Sequence, residues 1–501
     1  MTRHHRIAII GTGFSGLGMA IRLKQEGEQD FVLLERAGDI GGTWRDNTYP
    51  GCRCDVPSHL YSFSFAPNPN WSSTFSPQEE ILDYLKDCAE RFGVLPHVHF
   101  DTELESAEWD DDGGLWRIDS STGPMTANFL VAAQGPLSEP ALPEVPGLAE
   151  FEGTAFHSAQ WDHDHDLTGE RVAVVGTGAS AIQFVPEIQP KVGKLHVFQR
   201  TAPWVVPHRN RPLKGWERTL YRLFPPAQLA MRAGIYLARE LFVLLFRHPP
   251  VNKLLEQLPL GHMRSQIKDP ELRRKLTPNY SMGCKRILPT DEWYPALAQP
   301  NVEVVSGGVT EVRPRSVVAD DGTEREVDTI IFGTGFHVTD VPIADRVRGR
   351  DGRTLAETWN GSMAAYKGTT VAGYPNLFLL VGPNTGLGHT SIVYMIESQL
   401  AYVLDALRTM RARRAGTLEV REEAQAAYNA ELDRMTKDTV WVSGGCTSYY
   451  IDRNGHNSAL WPTYTWPFRR QLRRFDPAAY SLGTPVPSPD GEREPAAAAH
   501  A

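Results

Sequence analysis

Glu35 and Arg200 are the charged residues of this 501-residue chain whose placement speaks most directly of chemistry. Each stands 24 positions after the first glycine of a Gly-rich turn, Gly11-Thr-Gly13-Phe14-Ser15-Gly16 in one case and Gly176-Thr-Gly178-Ala-Ser180-Ala in the other. Each turn follows a short apolar run, Arg6–Ile10 or Arg171–Val175, and opens a helical pattern, the strand–turn–helix setting that a dinucleotide fingerprint requires. Gly11 makes the tight turn, Gly13 lets backbone approach a pyrophosphate, and Gly16 permits close helix–strand packing. The pyrophosphate then rests on unpaired N–H groups at the positive end of a helix. At the tip of the following strand, a carboxylate accepts hydrogen bonds from both hydroxyls of an adenosine ribose and repels a 2′-phosphate. A guanidinium pairs with that phosphate. Glu35 therefore predicts an unphosphorylated ribose, and Arg200 predicts NADP, with Thr201 adding a hydroxyl donor and Ser180 and Gln183 assigned to the same second site. The plain alternative is that both charges are solvated loop ends.

One ribose site of each kind points to FAD with NADPH, a hydride passing from the nicotinamide to the flavin. A disulfide reductase would hand the electrons to a CxxC pair, but Cys52-Arg-Cys54 has the wrong spacing and reads as buried thiols, so dioxygen is the natural acceptor. His163-Asp-His165-Asp has the look of metal ligands yet sits in a short polar connector, so no metal is expected. Ser58-His59 has no third member and no nucleophile elbow around it.

These groups need two α/β units to hold them. The first unit continues with short strands around a turn at Asp110–Gly114 and closes on an apolar strand ending at Ala133-Gln-Gly135. The second repeats the plan, with short strands around Asp320-Asp-Gly322 and a closing strand at Ile330-Ile-Phe-Gly-Thr-Gly335. Between them lies Ser138–Gly147, Pro-rich and suited to a semi-rigid link. Residues 209–282 break the repeat with helical apolar spacing interrupted by Pro225-Pro226 and Pro249-Pro250. There Tyr236, Leu237, Leu241, Phe242, Leu244 and Leu245 form an apolar face expected to pack within the insertion; a substrate funnel or membrane-surface contact is the less favoured reading. The expected fold is α/β, two Rossmann-like dinucleotide-binding domains (FAD and NADP) with a small helical insertion. The expected division is 1–140 and 345–482 for FAD, 141–150 as linker, 151–208 and 283–344 for NADP, 209–282 as insertion, and 483–501 as a disordered tail.

Net charge of −9 removes any global attraction to nucleic acid, and the longest apolar stretch, Leu241–Phe246, is too short to span a bilayer. The N-terminal apolar run is likewise too short for a signal peptide. Five cysteines, few and odd in number, read as reduced thiols of a cytoplasmic protein.

Phe151-Glu-Gly153-Thr-Ala-Phe-His157-Ser-Ala-Gln-Trp161-Asp162 matches the FxGxxxHxxxW(P/D) fingerprint of type I Baeyer–Villiger monooxygenases at every defined position. From Arg6 to about Asp476 the chain resembles the wider class B flavoprotein monooxygenases. Gly41-Gly42-Thr43-Trp44 and Tyr49–Asp55 are similar to the family's flavin-side loops, with Tyr61 assigned to the same site; Gly283-Cys-Lys285-Arg286 resembles its active-site arginine segment and Pro375–Asn384 its second flavin-contacting strand and turn. The resemblance implies insertion of one O₂-derived oxygen beside the carbonyl of a hydrophobic ketone, by way of a C4a-peroxyflavin, to give an ester or lactone. Arg286 is then the fixed cation near the developing alkoxide, Asp55 the carboxylate that holds it, and Lys285 a partner of the NADP phosphate or ribose. Without the family match, Lys285-Arg286 reads as a surface basic pair. His157 is given a hinge or domain-positioning role and no proton transfer. Two places depart from the family pattern: Cys52, where alanine is common and a nearby thiol is open to oxidation, and Ser448–Asn457, where Trp and Arg are usual. The alternatives are a sulfur or nitrogen oxygenase using the same flavin chemistry, a redox-sensing flavoprotein, or an uncoupled NADPH oxidase.

Overall fold

Strands that read as continuous apolar runs belong in sheets covered on both faces, and both Gly-rich turns leave such strands. A computed structural model describes residues 3–483, His248 excepted. Its larger sheet runs in the order Val347–Arg348, Leu104–Asp110, Leu115–Ser120, Met125–Ala132, Arg3–Ile10, Phe31–Leu34, Val98–His99, with Leu377–Leu379 joined parallel to Met125–Ala132. Ile7, Ile9 and Leu33 face one core, while Ala8, Ile10, Val32 and Leu34 face another. The helix Phe14–Gln25 packs beneath the first of these cores against the long helix Ile392–Arg413, Gly18 admitting Leu400.

The smaller sheet is wholly parallel, Val302–Ser306, Lys194–Gln199, Arg171–Val175, Thr329–Phe332, Thr154–His157. Val172 and Val197 point to one side and Ala173 and Phe198 to the other, so it too is buried on both faces. The short strands Val309–Arg313, Ser316–Ala319 and Glu324–Glu326 form their own antiparallel sheet around the turn at Asp320–Gly322. The Pro-rich link lies along the second unit: the Ala141 N–H donates to the Gly335 carbonyl and the Val312 N–H to that of Pro146.

Six helices fill Gly215–Lys275, and both proline pairs open a helix, Pro225–Glu240 and Pro249–Leu255, at the position where a missing N–H costs nothing. Three expectations need correction. Cys284 and Cys446 are joined as a disulfide, leaving Cys52, Cys54 and Cys88 free. The apolar face of the insertion does not pack inward: Leu237 and Leu241 are each 64% exposed, Phe242 and Leu244 are exposed, and of the six only Leu245 is buried, with Tyr236 in between. In the helix Pro225–Glu240 the inner side carries Gln228, Arg232, Arg239 and Glu240, which bond to the rest of the protein, beside Ile235 and Tyr236 packed on the first core. Gly483, placed in the tail, instead ends the strand Tyr480–Gly483 paired with Thr417–Val420; the remainder of the expected tail lies outside the described residues. Among the described residues no helix is long and apolar enough to cross a membrane.

The two turns meet the same steric demand. Gly11 and Gly176 both have positive φ, +99° and +109°, and an added Cβ would stand 3.0 Å from the Ala133 carbonyl oxygen and 2.4 Å from that of Gly333. Gly176→Ala is therefore expected to lower stability by about 2–4 kcal/mol, from backbone strain plus overlap. At Gly178 a Cβ would meet nothing nearer than 3.9 Å, so Gly178→Ala should stay within about 0.5 kcal/mol. Urea denaturation of both variants checks the pair.

Candidate active site

The cavity between the two units, about 1170 Å³, is lined by both Gly-rich turns, by Glu35 and Arg200, and by Asp55 and Arg286. On its first side the helix after Gly13 starts with no side-chain cap and no acidic residue in its first turn, leaving its N–H groups and dipole for an anion. Gly42 approaches Gly13 so closely that a Cβ on Gly42 would stand 3.1 Å from the Gly13 Cα. These glycines leave bare backbone on the cavity wall at the start of the helix. Glu35 is buried at the strand tip, where it accepts from the Thr12 N–H at 3.1 Å and the Thr12 hydroxyl at 2.5 Å and pairs with Arg45 at 2.8 Å. It is thus held as a fixed carboxylate, not a solvated loop end. Phe14 and Trp44 both meet the Tyr61 ring edge-on, at 5.1 and 5.5 Å, and the Trp44 indole N–H donates to the Tyr61 hydroxyl at 3.0 Å. Ser15 is buried in the first turn of the helix, Thr43 opens the short helix Thr43–Asp46, and Gly16 touches the Gly11 carbonyl. The Gln134 side-chain oxygen, on the strand end that borders the cavity, is buried with no protein partner. A cofactor that offers a hydrogen-bond donor there would satisfy it.

On the second side the helix Ala181–Ile188 also begins uncapped after Ser180 and without an acidic first turn. Arg200, exposed, borders the cavity beside Gly308, and the Lys285 ammonium donates to the Thr201 hydroxyl at 2.7 Å. Burial and then the nearby Arg200 charge push the Lys285 ammonium below its ordinary range. A phosphate dianion would relieve both. Gln183 lines the cavity and also bonds across it: its amide oxygen accepts from the Tyr49 hydroxyl and the Arg53 N–H, and its amide nitrogen donates to the Arg53 carbonyl, at 3.0, 3.2 and 3.1 Å. It ties the second unit's helix to the loop of the first.

Where the two sides meet, Arg286 donates from Nε and Nη2 to the two carboxylate oxygens of Asp55 at 2.7 and 2.6 Å, a bidentate pair. Burial would raise the Asp55 carboxyl, but the Arg286 charge and hydrogen bonds override it and hold it below the usual carboxylate range. The Asp55 charge in turn raises the Arg286 guanidinium well above its own. Arg239 donates to the Asp55 carbonyl from the insertion. What fixes the arginine segment has no local signal in residue order: the Cys284–Cys446 bridge anchors it to the stretch carrying Tyr449 and Tyr450, whose hydroxyls bond to each other at 2.8 Å beside Arg286. Cys52 is held as a thiol, pushed up to about 11 by burial, which keeps it a poor nucleophile.

His157 ends its strand buried, Nδ1 accepting from the Ala159 N–H and the ring against Phe336; Trp161 packs on Phe156 and Phe184. His165 bridges Glu170 and Thr329, and Ser58 bonds to Ser76. Burial lowers His157 and His59 to about 4. Unfolded imidazoles titrate near 6.5, so between the two values the unfolded chain binds protons the folded one refuses, and stability is lost as pH falls. The urea midpoint is expected to drop from about pH 6.5 towards about pH 4. His157→Gln should flatten the drop, read by urea titrations at fixed pH.

The model of the flavin-binding monooxygenase-like family matches residues 4–348. A Baeyer–Villiger monooxygenase of Streptomyces coelicolor is 54% identical over 98% of this chain and 95% of its own length. One of Pseudomonas aeruginosa is 53% identical over 96% and 92%. A solved OTEMO complex with FAD and NADP superposes with a TM-score of 0.87 at 26% identity, covering 96% of this chain and 100% of that one. Two nucleotide cradles that share one cavity, the arginine–carboxylate pair between them and these likenesses lead to one conclusion: the chain belongs to the flavin-binding monooxygenase-like family, among its type I Baeyer–Villiger monooxygenases.

Proposed function

We propose that the chain binds FAD and NADPH and oxidises hydrophobic ketones to esters or lactones with dioxygen. The observation that carries this reading is the bidentate Asp55–Arg286 pair inside the cavity that both nucleotide turns line. When bound, FAD supplies the redox chemistry: it takes a hydride from NADPH and activates dioxygen. Gly11, Gly13, Phe14, Ser15, Gly16, Glu35, Gly42, Thr43, Trp44 and Tyr61 hold the flavin nucleotide, the glycines at its pyrophosphate and Glu35 at its ribose. Gly176, Gly178, Ser180, Arg200, Thr201 and Lys285 hold NADPH, and Gln183 acts through Tyr49 and Arg53. Arg286 keeps a permanent positive charge where negative charge develops on the substrate oxygen, and Asp55 fixes its plane without taking its proton. Tyr449, Tyr450 and Leu387 line the cavity with Arg286.

We divide the chain along the two sheets as expected from the sequence, 1–140 with 345–482 around FAD and 151–208 with 283–344 around NADPH, joined by 141–150. The compartment we propose is the cytoplasm, from the small cysteine complement; the Cys284–Cys446 bridge is the observation against it. The deciding experiment is a panel of ketones and sulfides in which NADPH consumption and product identity are measured together. A lactone from a cyclic ketone, in step with NADPH, is the expected result. Sulfoxide alone, or peroxide equal to all NADPH consumed, would replace the reading with a heteroatom oxygenase or an oxidase.

A further inference from the structure

Two helices of the insertion turn an apolar face outward, although its later segments bury Val243, Leu245, Phe246 and Met263. In the helix Pro225–Glu240 the polar residues point inward: Gln228 bonds to His59 and Asn68, Arg232 to the His59 and Ser62 carbonyls, Arg239 to that of Asp55, and Glu240 to Thr465 and His389. Outward run two adjacent stripes at four-residue spacing, Leu229, Ala233, Leu237 and Ala230, Gly234, Ala238, all exposed and none charged. The preceding helix Gly215–Leu223 repeats the design. Its Glu217 and Tyr221 are buried, while Trp216, Leu220 and Leu223 stand out at 64%, 40% and 78% exposure on one helical face. Among the described residues, thirteen of the nineteen exposed large apolar side chains fall between Trp216 and Leu258. Such a concentration marks a contact surface, not scattered exposure.

Charge says what covers it. Residues 209–282 hold fourteen Lys and Arg against five Asp and Glu, in a chain whose net charge is −9. Between Lys214 and Gln257 the carboxylates are Glu217, Glu240 and Glu256; the first two are buried, and the third accepts from the Met282 N–H. The exposed surface of this stretch therefore combines apolar residues with the cations Lys214, Arg222 and Lys253. A second copy of the chain meeting this face symmetrically would set like charge against like charge. An anionic lipid surface satisfies both parts at once, taking the apolar stripes at the acyl boundary and the cations at the headgroups. We propose that this insertion docks the protein, without spanning, on membranes rich in anionic phospholipid. The proposal rests on the surface alone and stands whichever substrate the cavity takes.

The test is flotation of the FAD-loaded full chain with vesicles of phosphatidylglycerol and phosphatidylcholine, about 3:7, against vesicles of phosphatidylcholine alone. Wild type is expected to float with the anionic vesicles and far less with the neutral ones, and to lose about tenfold in bound fraction as salt rises from about 0.05 to about 0.5 M. Leu229→Glu with Leu237→Glu should cut binding at least about tenfold, while flavin content and turnover of a water-soluble ketone persist. Retained flavin shows the variant to be folded, and wild-type flotation tests the idea even if it is not. Wild type that stays unbound at every composition, or a variant that floats as well as wild type, overturns the proposal. So does a concentration-dependent dimer, seen by light scattering and dissolved by the same variant, in a protein that ignores vesicles; the face would then belong to a second copy.

Discussion

Arg286→Ala is expected to abolish ester formation, by at least about 10³-fold, while the protein stays yellow and continues to oxidise NADPH with release of hydrogen peroxide. The size follows from what the side chain does. Loss of one neutral donor at a developing oxyanion costs about 10²–10³-fold, and here a full charge goes with it. The substitution also strands Asp55, whose carboxylate is held down by that guanidinium. Asp55 is partly buried and keeps Arg239 nearby, so its carboxyl will rise and the local loop will loosen. The flavin contacts proposed above lie on other elements, and flavin retention is therefore the internal control. Asp55→Asn keeps the shape but removes the charge that fixes the guanidinium plane, and should fall between wild type and Arg286→Ala. Arg286→Lys should recover little, since an ammonium cannot make the bidentate contact with Asp55. Products measured by gas chromatography alongside peroxide decide the matter; ester turnover surviving in Arg286→Ala would remove this residue from the reaction.

The second large effect concerns coenzyme choice. Arg200→Ala should raise KM for NADPH by up to about 10²-fold, the loss of two charge-assisted contacts at about 1.5 kcal/mol each, and leave NADH kinetics nearly unchanged. Lys285→Ala should act in the same direction and less than additively, because Lys285 and Thr201 share one hydrogen bond next to Arg200. Its ammonium, pushed down by burial and by the Arg200 charge, should return towards its ordinary range in Arg200→Ala. Unchanged NADPH and NADH parameters in Arg200→Ala would exclude this side of the cavity as the 2′-phosphate site.

Much of the frame was legible from residue order. The two strand–turn–helix units, the glycines at 11 and 176, and the opposite charges at 35 and 200 depend on contacts within about 25 residues, where backbone sterics and strand length fix geometry almost without reference to the rest of the chain. The closing strands and the three short strands around Asp320–Gly322 were readable for the same reason, as alternation and turn chemistry are local signals. Asp55 and Arg286 entered only through resemblance, since nothing in composition or period joins residues 231 apart in sequence.

Other features had no local signal at all. Whether two cysteines 162 residues apart form a bridge depends on where the sheets bring their backbones, here 6.2 Å between Cα atoms. Gln183, beside a Gly-rich turn, also bonds through its amide to the Tyr49–Arg53 loop, a contact that residue order could not show. The helix Pro225–Glu240 has the period of an amphipathic helix, and period specifies two faces without saying which one meets the protein. Carbonyls of His59, Ser62 and Asp55 needed donors, and Arg232 and Arg239 supplied them. Local order thus fixed the nucleotide cradles and the sign of charge at each. Long-range packing settled the reactive pair, the bridge behind it and the outward turn of the insertion, because buried polar groups must be satisfied by whichever side chains the fold brings near.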